Sequence, residues 1–229
     1  FATTRSTGMG MGLAIGRAIG ALLVPGDVVA IDGPLGAGKT RLIRGMAMGL
    51  GLPGSVVSSP TYVVVNEYVI AGEGDTGLAE SVRPRRLFHV DAYRLSGPED
   101  LDSLGWDRVV DPTGDAAVAI EWAERIHAGE GSPTDMLNGA RTASPDHRAE
   151  PAVCRVRMEP VQAPEGHAAL TAETDEPPPG LRLITIDPPS AWSARGGDAR
   201  RDWQRLSKLL GTTSGDAARS ARPPLPTGW

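Results

Sequence analysis

Short apolar runs rich in β-branched residues recur along this chain, and polar or glycine-containing stretches separate them. The runs are residues 28–31, 87–91, 116–121, 153–158 and 181–186. Apolar runs of this length are typical of strands buried on both faces of a parallel sheet. Residues 62–70 are predicted as a further extended run, and Val56 and Val57 as the start of a short strand.

Three other segments repeat apolar residues with the period of a helix. The stripes are Ile15, Ile19, Leu22 and Leu23; then Ile43, Met46, Ala47 and Leu50; and finally Trp203, Leu206 and Leu210. Spacings of three and four residues place each set on one helix face. The first and third stripes predict helices at residues 13–23 and 199–210. The second stripe predicts a helix that ends at Gly51 and Pro53. Residues 1–12 lack clear periodicity and are predicted to be irregular, and residues 98–100 are predicted to open a short helix.

The first apolar run leads into residues 33–40, which satisfy the pattern G-x-x-x-x-G-K-[ST]. A strand before this motif and a helix after it predict a phosphate-binding P-loop. Lys39 is expected to reach the β- and γ-phosphates of a nucleotide, and Thr40 to bind the Mg²⁺ that bridges them. The backbone groups predicted to surround phosphate belong to Gly33, Leu35, Gly36, Ala37 and Gly38. The alternative is a glycine-rich turn that contains Lys-Thr by chance.

Strands and helices alternating around this loop predict an α/β protein, with a P-loop NTPase-like three-layer fold and a mainly parallel sheet. Residues 1–188 are predicted as the ATPase domain, and residues 189–229 as a C-terminal tail with one amphipathic helix. Polar or Gly-, Pro- and Ser-rich composition marks residues 71–85 and 128–150 as irregular insertions. The runs ending in Asp91 and Glu121 deliver carboxylates to the sheet edge where ligands bind in such folds.

Charge and composition narrow the class of function. The net charge of −5 disfavours binding of nucleic acid by bulk electrostatics. Cys154 is the single cysteine, and no apolar run is long enough to span a membrane, so we expect a cytoplasmic protein without membrane contact. The only lysines are Lys39 and Lys208. Neither is followed two residues later by aspartate, as the guanine-reading N-K-x-D motif requires, so adenine is favoured over guanine.

Four motifs follow one another along the chain: the P-loop, Ser-Pro-Thr-Tyr at 59–62, His-Val-Asp-Ala-Tyr-Arg at 89–94, and Glu121-Trp122. Their order and spacing resemble the TsaE family, the P-loop ATPase of the bacterial machinery that installs threonylcarbamoyladenosine next to the tRNA anticodon. The resemblance covers about half of the chain. One position departs from it: Gly12 stands where the family usually carries threonine, and Thr7 is the candidate to replace that contact with the nucleotide.

The resemblance also implies roles for single residues. Glu121 is expected to join Thr40 at Mg²⁺, and Asp91 to orient water or the metal shell. Thr61 is the expected γ-phosphate contact of a switch loop. Lys39, Asp91 and Glu121 form the expected catalytic set for Mg²⁺-dependent ATP hydrolysis. This hydrolysis is expected to be slow and to be stimulated by partners. The implied partners are TsaB- and TsaD-like subunits of the tRNA threonylcarbamoyl-transferase complex.

Two other functions remain open on the sequence. The first is a small-metabolite P-loop kinase, in which the arginines at positions 83, 85 and 86 would form a phosphate-clamping lid. The second is a nucleotide-gated docking protein, in which occupancy of the site and not turnover is the signal.

Overall fold

The computed structural model describes residues 2–6, 9–58, 64–70, 83–95, 100, 114–126, 153–160, 182–189, 192 and 199–210. Its strands are β1 (Ala2–Ser6), β2 (Val28–Asp32), β3 (Val65–Val69), β4 (Arg86–Asp91), β5 (Ala116–Glu121), β6 (Val153–Pro160) and β7 (Arg182–Asp187). Its α-helices, within the same residues, are α1 (Met9–Leu22), α2 (Lys39–Gly49) and α3 (Ala199–Leu209).

The strands form one seven-stranded sheet in the order β1-β7-β6-β2-β5-β4-β3. The four central strands, β6, β2, β5 and β4, run parallel, whereas β1, β7 and β3 pair antiparallel with their neighbours. The predicted α/β class is confirmed, with the parallel part confined to the centre of the sheet. The carboxyl ends of the parallel strands therefore meet at one edge, and β2 leads into residues 33–38 there.

The central strands are buried on both faces. In β2, Val29 and Ile31 belong to the core on one face, while Val28 and Ala30 belong to the core on the other. The first core also contains residues from α1, α2 and α3. Among the described residues, the second core is completed by the 3-10 turns Ala92–Arg94 and Ala123–Arg125 and the residues that follow them.

Helices α1 and α2 lie closer together than ordinary side chains allow. A Cβ atom on Gly16 would come within 2.1 Å of the Leu42 carbonyl oxygen, and one on Gly20 within 2.1 Å of the Met46 carbonyl oxygen. These two glycines therefore permit the close packing of α1 on α2. The close contact holds α2, and with it the P-loop, firmly against the first core.

Residues that follow position 188 contribute to the first core. Trp192, Leu206 and Leu210 are buried in the same cluster as the P-loop helix, and α3 packs on α1. The Trp192 indole N–H donates to Asp27 Oδ2 at 3.2 Å, and Asp27 immediately precedes β2. The predicted amphipathic helix therefore docks on the α/β unit, while a domain boundary at residue 188 stays a prediction.

Two local predictions are wrong. Residues 1–12 are not irregular throughout, because β1 pairs with β7 and α1 already begins at Met9. Val56 does not begin a strand but ends the 3-10 helix Gly54–Val56. The partner of β1 lies about 180 residues away, a non-local pairing that local periodicity does not reveal.

Other predictions lie wholly or partly outside the described residues. Of the extended run at 62–70, the structure gives β3 from Val65 to Val69. Residues 59–63, which include Thr61, lie outside, as do Thr7, residues 71–82 and residues 127–150. Of residues 98–100, only Asp100 is described, and it is helical.

Candidate functional site

The loop between β2 and α2 has the backbone geometry that its glycines predict. Gly33, Gly36 and Gly38 have φ values of 145°, 75° and 98°, a region that residues with a Cβ rarely adopt. A Cβ atom on Gly33 would also come within 2.3 Å of the Met158 carbonyl oxygen. The loop curls directly into the N-terminus of α2, where free backbone N–H groups and the helix dipole favour an anion.

Lys39 is folded back over this loop. Its side chain is 4% exposed, and Nζ donates to the carbonyl oxygens of Gly33 at 2.6 Å and Pro34 at 2.9 Å. The same Nζ lies 3.4 Å from the centroid of the Trp122 ring, which is cation–π geometry. The ammonium group is thus held between the first residues of the loop and the Trp122 ring. Thr40, the next residue, lies half-buried in the first turn of α2.

The sheet register brings the predicted carboxylates to this point. Glu121 at the end of β5 pairs with Ile31 of β2 on one side and with Asp91 of β4 on the other. Burial lowers the pKa of Lys39, and the negative charges of four carboxylates, Glu121, Glu124, Asp91 and Asp32, oppose that effect. The structure therefore brings Lys39, Asp91 and Glu121 together, and it adds Asp32 and Glu124 to them.

Glu121 is held by a buried partner. His89 Nε2 lies 2.9 Å from Glu121 Oε1, and the two side chains are 0% and 5% exposed. Where the Glu121 carboxylate accepts this bond, Nε2 is the ring nitrogen that donates it. The other ring nitrogen, Nδ1, is buried and has no hydrogen-bond partner among the described residues. This contact fixes the orientation of the Glu121 carboxylate.

Asp91 and Asp32 each accept a hydrogen bond from a backbone N–H. Asp91 Oδ1 accepts from the Tyr93 N–H at 3.0 Å and so caps the 3-10 turn that follows β4. Asp32 Oδ1 accepts from the Glu124 N–H at 2.8 Å. Burial and a hydrogen bond with Asp32 raise the pKa of the Glu124 carboxyl. Asp32 and Glu124 therefore form a close acidic pair beside the loop.

Trp122 connects these elements. Among the described residues it is the only non-glycine with positive φ (59°), and its N–H donates to the Ile31 carbonyl oxygen at 2.9 Å. Its ring lies 4.9 Å from that of Tyr93, over which the Arg125 guanidinium lies at 5.0 Å. A strained backbone at such a position is common at functional sites. Here the face of the indole ring lies against the Lys39 ammonium.

Several residues of the site escaped the sequence analysis. Asp32 ends β2 directly before Gly33, and Glu124 lies two residues after Trp122, so their places beside two of the motifs were the available signal. Arg182, whose Nη2 donates to the Gly36 carbonyl oxygen at 2.9 Å, gave no local signal. In the described part of the chain, no group of three or more His, Cys, Asp or Glu residues could hold a metal ion. No helix there is long and apolar enough to cross a membrane.

The arginines considered as a kinase lid lie away from the loop. Arg86 is the first residue of β4 and bonds to Asp115 at 2.6 Å and Glu67 at 3.5 Å. Because β4 runs parallel to β2, its first residue lies at the edge of the sheet opposite the P-loop. The position of Arg86 therefore speaks against the lid interpretation.

Known proteins resemble the part of this chain that contains the loop and its neighbouring carboxylates. The family model described as threonylcarbamoyl adenosine biosynthesis protein TsaE matches residues 11–148. A Streptomyces coelicolor relative named tRNA threonylcarbamoyladenosine biosynthesis protein TsaE is 40% identical over 111 residues, which cover 48% of this chain and 66% of the relative. A Haemophilus influenzae relative of the same name is 41% identical over 98 residues, covering 43% of this chain and 52% of the relative.

These matches span less than two thirds of the relatives' own lengths. Among solved structures, the crystal structure of Bacillus subtilus YdiB aligns over 90% of this chain and 93% of its own, with 21% identity and a TM-score of 0.47.

Proposed function

Because this chain belongs to the TsaE family, we propose that it is an ATPase subunit in the biosynthesis of threonylcarbamoyladenosine next to the tRNA anticodon. The observation that carries the proposal is the meeting of Lys39, Asp91 and Glu121 at one sheet edge, beside a P-loop within the family-matched residues. All three residues belong to the motifs that carry the resemblance.

ATP is the proposed ligand of the loop. The positive φ values at Gly36 and Gly38 and the start of α2 at Lys39 form a cradle of backbone N–H groups, which suits a polyphosphate. Lys39 would exchange the carbonyl oxygens of Gly33 and Pro34 for phosphate oxygens. That exchange is favourable because a charge-assisted hydrogen bond to phosphate is stronger than one to a neutral carbonyl.

Thr40 and Glu121 would hold Mg²⁺, which usually takes one or two protein oxygens together with phosphate and water. When bound, the metal neutralises charge on the phosphates. The donor set fits a hard cation, since it consists of a hydroxyl and a carboxylate. His89 supports this role because its contact with Glu121 Oε1 orients the carboxylate.

Asp91 is the proposed group that orients the attacking water, since it lies in register with Glu121 and is more exposed than Glu121. Thr61 is the proposed γ-phosphate contact. We further propose that turnover is slow in the isolated chain and rises when TsaB- and TsaD-like subunits bind. The acidic balance of the chain fits a subunit that acts on protein partners and leaves tRNA contact to them.

Reconstitution of the modification tests this function. The other proteins of the pathway are supplied with tRNA, threonine, bicarbonate and ATP, and modified adenosine is measured with and without this chain. We expect product to depend on the wild-type chain and to be lost with Lys39→Ala, with Arg17→Ala as an exposed control far from the loop. Equal product without the chain would refute the proposal.

A further inference from the structure

The guanidinium group of Arg182 contacts the P-loop. Arg182 itself lies beyond residues 11–148, which the family model matches. Its Nη2 donates to the Gly36 carbonyl oxygen at 2.9 Å. The crest of the loop around that oxygen is open: Leu35 is 89% exposed, and a Cβ atom on Gly36 would meet nothing within 4 Å. Arg182 therefore contacts the loop at its exposed crest.

The sheet topology puts Arg182 there. Strand β6 runs parallel to β2, so its last residues lie at the same edge as the P-loop, and the Met158 carbonyl oxygen lies against Gly33. Strand β7 returns antiparallel to β6, and its first residue, Arg182, pairs with Pro160. The end of the β6–β7 pair thus forms one wall of the loop.

Besides Arg157, which acts on Glu124, Lys39 is the cation that faces the carboxylates of this site. Four carboxylates, Asp32, Asp91, Glu121 and Glu124, act on the Lys39 ammonium. A nucleoside triphosphate remains anionic even with one Mg²⁺ bound, so it would enter an already negative surrounding. A second fixed positive charge next to the cradle offsets this repulsion. Arg182 supplies one, and its guanidinium has five N–H donors, of which the Gly36 contact occupies one.

We propose that Arg182 is a nucleotide-binding residue of this site, which contacts the polyphosphate of the bound nucleotide from the β7 side of the loop. In the structure its guanidinium rests on the Gly36 carbonyl oxygen. A phosphate in the cradle gives the same group a charged acceptor, which it prefers to a neutral one. The inference rests on the proposed function, because it takes Mg-ATP as the ligand.

Four variants separate a charge on phosphate from support of the loop. Arg182→Ala removes both the charge and the hydrogen bond to Gly36, Arg182→Gln keeps a neutral donor, and Arg182→Lys keeps the charge. Arg17→Ala is the matched control. Arg17 is an exposed arginine of α1 that lines a cavity of about 360 Å³ with Met48 and Gly49, at the far end of α2 from the loop.

Calorimetric titration of Mg-ATP at low and at high salt is the measurement, with melting temperatures to verify folding. We expect Arg182→Ala and Arg182→Gln to bind about tenfold more weakly than the wild type at low salt, as expected for one partly exposed charge-assisted contact. Arg182→Lys should retain most of the affinity. The difference between wild type and Arg182→Ala should shrink at high salt, because salt screens an exposed charge.

Wild-type affinity in Arg182→Gln together with weak binding in Arg182→Ala would overturn the inference, since a neutral donor to Gly36 would then suffice. Wild-type affinity in all three Arg182 variants would overturn it as well. If Arg17→Ala lost as much affinity as Arg182→Ala, the effect would be general electrostatics and the inference would also fall. Failure of the wild-type chain itself to bind Mg-ATP is a different result, which would overturn the proposed function first.

Discussion

Replacing Trp192 by phenylalanine tests whether the segment after residue 188 is part of the folded unit. The Trp192 side chain is fully buried, and its N–H donates to Asp27 Oδ2, which also accepts from the Val24 N–H at 3.0 Å. Phenylalanine keeps most of the buried ring but removes the donor. Asp27 is 2% exposed, so water cannot easily replace the lost hydrogen bond.

The expected cost follows from that burial. Loss of a hydrogen bond to a charged, buried acceptor costs about 1.5–3 kcal/mol, and truncation to alanine about 3–5 kcal/mol because it also leaves a cavity. Domains are stable by only about 5–15 kcal/mol, so Trp192→Ala would remove a large share of the total. For a chain of this size, 2 kcal/mol corresponds to a drop in melting temperature of about 4–8 °C.

Urea unfolding followed by far-ultraviolet circular dichroism measures the effect, and an unchanged slope with denaturant would mean that stability alone has changed. Trp203→Phe is the control, because Trp203 lies on α3 and is only half-buried. We expect its free energy of unfolding to change less than that of Trp192→Phe. A Trp192→Phe protein within about 0.5 kcal/mol of the wild type would refute the claim that Trp192 ties the C-terminal segment to the start of β2.

Three further predictions concern the site. Glu121→Ala should weaken binding of Mg-ATP far more than binding of metal-free ATP in calorimetric titrations, and equal losses would remove Glu121 from the metal. Asp91→Asn should keep Mg-ATP affinity but lose about 10²–10⁴-fold in hydrolysis rate, as for positioned acid–base groups; unchanged phosphate release would contradict the role given to it. Burial lowers the pKa of Lys39, so its ammonium loses a proton at lower pH than an ordinary lysine as pH rises. Affinity for ATP should therefore fall on the alkaline side, and Lys39→Arg should hold its affinity to higher pH; parallel pH profiles of the two proteins would refute this. The same lowered pKa means that the unfolded chain binds more protons, so the contribution of Lys39 to folding stability rises with pH in that range.

Local pattern predicted the central part of the fold because that part is built from local signals. Strand β5 was predicted at its observed bounds, and β2 and β4 to within a residue, since each is an apolar run buried on both faces. Helix α2 was predicted from the glycines and lysine before it and from Gly51 after it. Periodicity is a strong signal where the apolar side of a strand or helix packs directly against a core.

The outermost strands of the sheet are harder to predict, because their stability comes from partners that are distant in sequence. Strand β1 has little apolar pattern of its own and is formed by its ladder with β7. In the candidate site, Lys39, Asp91 and Glu121 stand in local motifs, and the fold places them near one another. The Trp122 contact with Lys39 and the Arg182 contact with Gly36 depend on pairings across β5 and β7, which no local spacing encodes.

The central claim is that the loop at residues 33–40 belongs to a partner-stimulated ATPase, and phosphate release from Mg-ATP tests it most directly. The measurement compares the chain alone, the chain with TsaB- and TsaD-like subunits, and the chain with candidate metabolites, each repeated with Lys39→Ala. We predict slow release by the wild type alone, faster release with the protein subunits, no response to metabolites, and no release above background by Lys39→Ala. Release that appears only with a metabolite acceptor, or that Lys39→Ala leaves unchanged, would contradict the account.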